Sequence, residues 1–283
     1  MKFLGKGILF AIAKLAGANR IRNMISAIAN IAGIDLLLLA YNNIGILNCQ
    51  NSNVSGEYFL ANKVLKKNLG SFNRPVIFDV GANIGKYSLM MFKELPHAQI
   101  YAFEPNRNSF EQLVRNVDNV AICFNTGLGS EDKTEKIFTY SNNLASSHAS
   151  AYKEMFHKFH RTGDIVGIDI QMTTIDSFCK LKYITNIDFL KIDTEGNELN
   201  VLKGAEKMLA EGRIKIIQFE FGECDIFSRV FLKDFYTILA DYNIYRLDSE
   251  RLIPLFEYDV ANEIFRFQNF VAIRKDFASL GGV

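Results

Sequence analysis

Two short stretches constrain this fold more than anything else in the chain: Val76-Ile-Phe-Asp-Val-Gly-Ala-Asn-Ile-Gly85, and the apolar run Ile100–Phe103 that ends at Glu104. Val76 to Phe78 reads as a buried strand closed by Asp79. Gly81 and Gly85 then allow a sharp turn into a helix, because glycine has no Cβ to obstruct the backbone or an approaching ligand. Glu104 follows Gly81 by 23 positions. An acid about 20 positions after a glycine turn is what a βαβ unit uses to hold a ribose diol. The pattern predicts an adenosine-type nucleoside at the open edge of a parallel sheet.

A dinucleotide fingerprint reads G-x-G-x-x-G after the strand. Here the turn is Gly81-Ala82-Asn83-Ile84-Gly85, and Asn83 stands where a pyrophosphate needs bare backbone. Asp79 adds a carboxylate that repels a pyrophosphate and suits a cationic amino-acid ligand. The turn therefore favours S-adenosylmethionine over a nicotinamide dinucleotide. A nicotinamide-dependent oxidoreductase and a non-enzymatic binding protein on the same fold are the competing readings.

At 283 residues the chain has room for one large α/β domain with an extension. The formal net charge of +1 gives no reason to expect nucleic acid. Cys49, Cys123, Cys179 and Cys224 are scattered without a C-x-x-C, which reads as thiols in a reducing, cytoplasmic compartment. No tight ligand spacing calls for a metal. Asn53-Val54-Ser55 matches a glycosylation acceptor, a pattern common by chance.

Residues 1–34 carry Lys2, Lys6, Lys14, Arg20 and Arg22 and no acid before Asp35. Leu4, Ile8, Ile12 and Leu15 share a helical face, as do Ile21, Met24, Ile25 and Ile28. These runs fall short of the about 20 residues a spanning helix needs. A signal peptide, an interfacial membrane helix, and a helix packed on the protein or on a second subunit stay open. Peripheral membrane contact through residues 1–45 and a homo-oligomer are the partner expectations that follow.

A helical extension is expected over residues 1–69, with breakers from Gly70 to Pro75, and a doubly wound domain over 70–283. A helix from Ile84 presents Tyr87, Ser88 and Met91 inward. Helix two carries Phe110, Leu113, Val114 and Val117. Strand Ala121–Phe124 leads to Asn125-Thr126-Gly127, and residues 130–170 read as irregular or hairpin-like. Strand Asp188–Asp193 is followed by the turn Thr194-Glu195-Gly196 and a helix packing Leu199, Leu202, Ala205, Met208 and Leu209 up to Gly212. Strand Ile214–Glu220, a helix Phe227–Leu239, and the strands Tyr242–Leu247 and Phe265–Ile273, read as a hairpin at the sheet edge, complete the unit. Alternation of strands and helices implies a mostly parallel sheet with ligands at its carboxyl ends. Asp79, Glu104, Asn125, Asp193 and Glu220 all fall at such ends.

Asp79-Val-Gly-Ala-Asn-Ile-Gly85, Phe103-Glu-Pro105, Asn125 with Leu128-Gly129, Thr174-Ile-Asp176, Leu190-Lys-Ile-Asp-Thr-Glu-Gly196 and Val201-Leu-Lys-Gly-Ala205 together resemble the FkbM-type methyltransferase family. The resemblance spans roughly residues 55–275. It implies a Rossmann-like, seven-stranded class I fold, S-adenosylmethionine as cosubstrate, and methylation of a small-molecule or glycan hydroxyl. By that comparison Asp79, Gly81, Asn83, Gly85 and Tyr87 belong to the cosubstrate site. Glu104 would bind the ribose, and Asn125 or Thr126 would lie near the adenine. Asp193 and Glu195 would face the methyl and the acceptor. Ser146, Ser147 and His148 match a serine-bearing stretch of the family. The chain departs from the family at Thr126-Gly127.

A hydroxyl acceptor must lose a proton, and a positioned base contributes typically about 10²–10⁴-fold. The candidates are Asp193, Glu195, Glu220 and His148. The plain alternatives are positioning of donor or acceptor by Asp193, or a divalent metal held by Asp193 with Glu220, a helix N-terminal acid at Glu195, and solvated histidines in a polar loop.

Overall fold

The computed structural model describes residues 17–140, 150–152 and 165–278. Ser146, Ser147, His148, His157 and His160 lie outside the described residues, as do Leu4, Ile8, Ile12 and Leu15.

Eleven strands are described: β1 (Val76–Val80), β2 (Gln99–Phe103), β3 (Ala121–Phe124), β4 (Gly127–Leu128), β5 (Lys133–Tyr140), β6 (Ile165–Thr173), β7 (Ile187–Ile192), β8 (Ile214–Phe221), β9 (Tyr242–Leu247), β10 (Leu252–Pro254) and β11 (Gln268–Arg274). The main sheet has eight strands in the order β10-β9-β11-β8-β7-β1-β2-β3. Neighbours from β8 to β3 run parallel. β11 is antiparallel to both β8 and β9, and β10 is antiparallel to β9. The α/β class stands, but the sheet is mixed and has eight strands where seven were expected.

The last two expected strands do pair, yet neither forms the edge. β11 inserts between β8 and β9. It is buried from Gln268 to Ile273, so both of its faces are covered, a poor composition for an exposed edge. The edge falls to three residues, Leu252–Pro254, paired with Tyr245–Leu247. A short strand ending in proline, which has no N–H to offer, is a protected edge.

Strand order reverses around β1, whose neighbours are β2 on one side and β7 on the other. Such a reversal opens a crevice beyond the strands' carboxyl ends. Alternation along the strands divides the core. Phe78, Val80, Leu190, Ile192, Ile217 and Phe219 face one side with the helices Ile175–Lys182, Glu198–Lys203 and Leu232–Ile238. Ile77, Phe189, Ile216 and Val271 face the other.

That second face is covered by the helix Lys86–Glu94 and by the chain from Glu57 to Leu69. The latter is α-helical over Glu57–Phe59, π-helical over Leu60–Leu65 and α-helical again over Lys66–Leu69. Leu60, Ala61, Leu65 and Leu69 are wholly buried against the sheet. This stretch, read from sequence as part of an extension, is therefore a layer of the α/β body.

Three helix expectations shift. The first begins at Lys86, with Gly85 as its N-cap. The helix expected up to Gly212 divides into Glu198–Lys203 and Glu206–Ala210. The break lies at Gly204, where a Cβ would collide with the Gly129 carbonyl. The helix expected over Phe227–Leu239 becomes Cys224–Ser228 and Leu232–Ile238, separated at Arg229 with φ 57°.

The hairpin reading of residues 130–170 takes form as β5 and β6, paired antiparallel from Lys133–Met172 to Tyr140–Ile165. With β4 they make a separate three-stranded sheet. Its buried side chains Ile137, Ile170 and Met172 form a small apolar wall.

Candidate active site

A cleft of about 480 Å³ opens at the carboxyl ends of β1, β2 and β7. Gly81, Asn83, Glu104 and Pro105 line one side, and Asp193, Thr194, Glu195 and Glu220 another. Leu128, Ile137, Ile170 and Met172 add the apolar wall from the small sheet. Ser150 and Ala151, which fall between β5 and β6 in the chain, line it as well.

The turn after β1 is fixed by backbone bonds. Gly81 and Ala82 both donate to the Phe103 carbonyl, and Asp193 N donates to the Val80 carbonyl. Gly81 has φ +80°, and a Cβ there would strike the Asp193 carbonyl oxygen. The two loops can touch only because this residue has no side chain. Asn83 also holds a positive φ, 48°, and its N–H donates to Glu104 Oε2 at 2.9 Å. Asn106 N donates to Glu104 Oε1 at 2.8 Å. Two amides thus orient this carboxylate at the cleft, leaving its remaining lone pairs for a ligand. Burial outweighs these bonds and pushes the Glu104 carboxyl up to about 7.

Beneath the turn lies a polar row within the sheet. In register, Asp79 faces Lys191 and Lys191 faces Gln218. Lys191 Nζ stands 3.1 Å from Asp193 Oδ2 and 3.5 Å from Asp79 Oδ1. Ser88 Oγ donates to Asp79 Oδ2 at 2.7 Å. Tyr87 OH donates to Gln218 Oε1 at 2.6 Å, while Gln218 Nε2 donates to Asn269 Oδ1 at 3.2 Å. Glu57 closes the network, accepting from Ser55 Oγ at 3.0 Å and from Gln218 Nε2 at 3.4 Å. Burial works against the Lys191 charge, but Asp193, Asp79 and Glu57 outweigh it and hold the ammonium above its ordinary range.

The β7 turn is tied down by Glu198, a buried acid. Its Oε1 accepts from Thr194 N at 2.6 Å and Thr194 Oγ1 at 3.0 Å, and its Oε2 from Gly196 N at 3.0 Å. Burial pushes this carboxyl up to about 7. The turn presents Glu195 at φ 54°, a left-handed conformation unusual for a side chain with a Cβ. Ser150 Oγ donates to the Glu195 carbonyl at 2.9 Å, and Cys224 Sγ lies 3.3 Å from Glu195 Oε2. Glu220 enters from β8. Burial first, then the charges of Asp193, Glu195 and Glu198, push its carboxyl well above the usual range.

Of the residues expected from sequence, Gly81, Asn83, Glu104, Asp193, Glu195 and Glu220 meet in this one cleft. The others stand behind its walls. Asp79 is fully buried and turned to Ser88 and Lys191, not to the ligand space. Gly85 caps a helix. Tyr87 belongs to the buried network. Asn125 Nδ2 braces the Glu104 and Pro105 carbonyls at 2.9 and 3.0 Å. Thr126 Oγ1 donates to the Gln171 carbonyl at 3.0 Å. Lys191, Gln218, Glu57, Glu198 and Ser150 escaped the sequence reading. The available signal was a polar residue inside an otherwise apolar strand, at Lys191 and Gln218.

The residues present fit S-adenosylmethionine. The volume lies within the about 300–1,000 Å³ common for small-ligand clefts. An oriented carboxylate suits a ribose diol, Leu128, Ile170 and Met172 suit a flat base, and Asp193 suits a cationic centre.

The methyltransferase FkbM domain matches residues 79–243, more than half of the chain. Methyltransferase sdnD of Sordaria araneosa is 32% identical over 161 residues, covering 48% of this chain and 62% of that protein. Hexuronic acid methyltransferase AglP of Haloferax volcanii is 27% identical over 150 residues, covering 52% of this chain and 56% of that protein. The chain thus spans less than two thirds of the length of either relative. Among solved structures, the plantazolicin methyltransferase BpumL in complex with SAH aligns over 94% of each chain at 11% identity and a TM-score of 0.42. The domain match over residues 79–243, spanning the β1 turn, Glu104 and the β7 turn, shows that the chain belongs to the FkbM methyltransferase family.

Proposed function

We propose that this protein is an S-adenosylmethionine-dependent methyltransferase that alkylates a hydroxyl of a sugar, glycan or secondary metabolite. The observation that carries the reading is the placement of Glu104 at one part of a single cleft and of Asp193 and Glu220 at another. The first suits a diol. The second pair suits a positive centre and a proton in transfer. The hexuronic acid named for the archaeal relative supports a sugar-type acceptor.

When bound, S-adenosylmethionine supplies a methyl group already activated by a sulfonium. The chain's own part is alignment and proton removal. Alignment alone can supply on the order of 7–11 kcal/mol. The Gly81 turn, Glu104 and the wall of Leu128, Ile170 and Met172 orient the cosubstrate. Asp193, held against Lys191, orients what enters opposite. Glu220 is the base in this reading. Once ionised, a carboxylate whose pKa is raised is a stronger proton acceptor than an ordinary one.

Titration calorimetry with S-adenosylhomocysteine tests the cosubstrate, and release of that product with a panel of sugars tests the reaction. Glu220→Gln is expected to lower turnover by about 10²-fold or more while product affinity stays within about twofold. A wild-type protein that does not bind S-adenosylhomocysteine removes the proposal. Binding without turnover on any hydroxyl acceptor favours the binding-protein reading instead.

A further inference from the structure

The helices Ala18–Ala32 and Leu36–Asn42 carry a run of exposed large apolar side chains. Met24, Ile25, Ile28 and Ile31 are exposed on the first, with Ile31 88% accessible. Leu36 to Leu39 are all exposed on the second. No single described helix is long and apolar enough to cross a membrane, and the two are bent by 95° at their junction. Two axes that meet at a bend share a plane, and a plane can lie along a surface.

The charge pattern selects the surface. Lys2, Lys6, Lys14, Arg20 and Arg22 precede the first acid of the chain, Asp35. Arg20 and Arg22 are exposed on the helix that carries the isoleucines. On the first helix, an apolar face with cations beside it and no acid is the composition of an interfacial helix on anionic lipid. Asp35, at the bend, is engaged in capping the second helix through Leu37 N and Leu38 N. A second copy is the poorer fit. A two-fold contact sets a patch against itself, so these cations would meet cations.

The second helix is also tied to the cleft. Arg251 Nη2 donates to the Asn43 carbonyl at 2.9 Å. Asn48 Nδ2 donates to the Asn42 carbonyl at 3.1 Å. Leu47 N donates to the Phe267 carbonyl at 2.8 Å, and Ile46 bridges Gln268. Both Cys49 and Phe267 line the cleft. The chain leaving the second helix at Asn42 therefore reaches the rim of the cleft at Cys49.

We propose that these two helices seat the protein on an anionic bilayer surface with the rim of the cleft at the headgroup layer, and that the acceptor is an amphiphile held in that layer. The acceptor half rests on the methyl-transfer reading. The docking half does not.

The full chain contains no tryptophan, so single introduced tryptophans report their own surroundings. Flotation with vesicles of phosphatidylcholine and a minority of phosphatidylglycerol is expected to carry the wild-type chain. Leu37→Glu should weaken partitioning by about tenfold or more without changing S-adenosylhomocysteine affinity, which serves as the fold control. Leu37→Trp should be quenched strongly by brominated lipid and Cys49→Trp more weakly. Tyr183→Trp, near the opposite ends of the strands beside Val76 and Asp188, should not be quenched. Failure to float while S-adenosylhomocysteine still binds overturns docking and leaves methyl transfer standing. Quenching at position 183 but not at 49 overturns the orientation and with it the amphiphilic acceptor. A dimer that shields Leu37→Trp without vesicles makes a second copy the occupant and overturns the proposal.

Discussion

Lys191 Nζ lies 3.1 Å from Asp193 Oδ2, joining an ammonium buried in the sheet to a carboxylate at the mouth of the cleft. The same ammonium reaches Asp79 behind it. The β1 and β7 turns are thus coupled through one side chain, besides the backbone bond from Asp193 N to the Val80 carbonyl.

Removing that ammonium leaves carboxylates without their counter-charge. Lys191→Met is expected to lower stability by roughly 3–5 kcal/mol, the usual effect of breaking a buried pair from one side. Lys191→Met combined with Asp79→Asn should cost clearly less than the sum of the two single changes, because the pair is coupled. Chemical denaturation of the four proteins in the cycle measures this. Additive losses would show that the two groups do not interact.

Glu104 gives ligand binding a pH dependence. Its carboxyl is pushed up from about 4.5 to about 7 by burial. Between these values the folded chain binds the proton that the unfolded chain has released. The group's contribution to stability therefore falls as pH rises through that window. A diol prefers the ionised carboxylate, so protons compete with the ligand. Affinity for S-adenosylhomocysteine should fall as pH drops below about 7, towards a limit of about tenfold per unit. Glu104→Gln should weaken binding by about tenfold to a hundredfold at neutral pH and flatten the profile. Calorimetry across the range decides it, and an unchanged slope in the variant would assign the titration to another group.

Glu198 is expected to govern the β7 turn without touching ligand. It accepts from Thr194 N, Thr194 Oγ1 and Gly196 N, and Glu198→Gln puts an amide in place of one acceptor oxygen. A loss of about 1–3 kcal/mol in stability follows. Turnover should fall more than cosubstrate affinity, since Asp193 and Glu195 flank or form this turn while Glu104 does not. Steady-state kinetics beside calorimetry separates the two.

Gly81→Ala should abolish the close approach of the two turns. The new methyl group meets the Asp193 carbonyl, and φ +80° is strained for any L side chain. The expected result is a stability loss of at least about 1–3 kcal/mol and loss of S-adenosylhomocysteine binding, read by thermal shift and calorimetry.

The β1 turn, Glu104 and the β7 turn were legible because each is local. A run of buried residues, a glycine with positive φ and an acid at the strand's end are written within a few positions. Lys191 was not legible in its role. Between Leu190 and Ile192 it reads as a tolerated charge, and what makes it central is Asp79 on the neighbouring strand. Gln218 and Glu57 escaped for the same reason. Asp79 shows the converse. Its position at a strand end suggested a ligand contact, but strand alternation turns its side chain toward the face covered by Tyr87 and Ser88.

By itself the sequence determined the α/β class, the strands of the parallel half, and which turns carry chemistry, since those depend on short-range periodicity and backbone conformation. Only the tertiary structure decided that β11 slots between β8 and β9, that a three-residue strand guards the edge, and which acids face the cleft and which are buried beneath it. Those outcomes depend on register between strands distant in the chain. A side chain's partners across a sheet are set by how the strands align, not by what lies next to it in sequence.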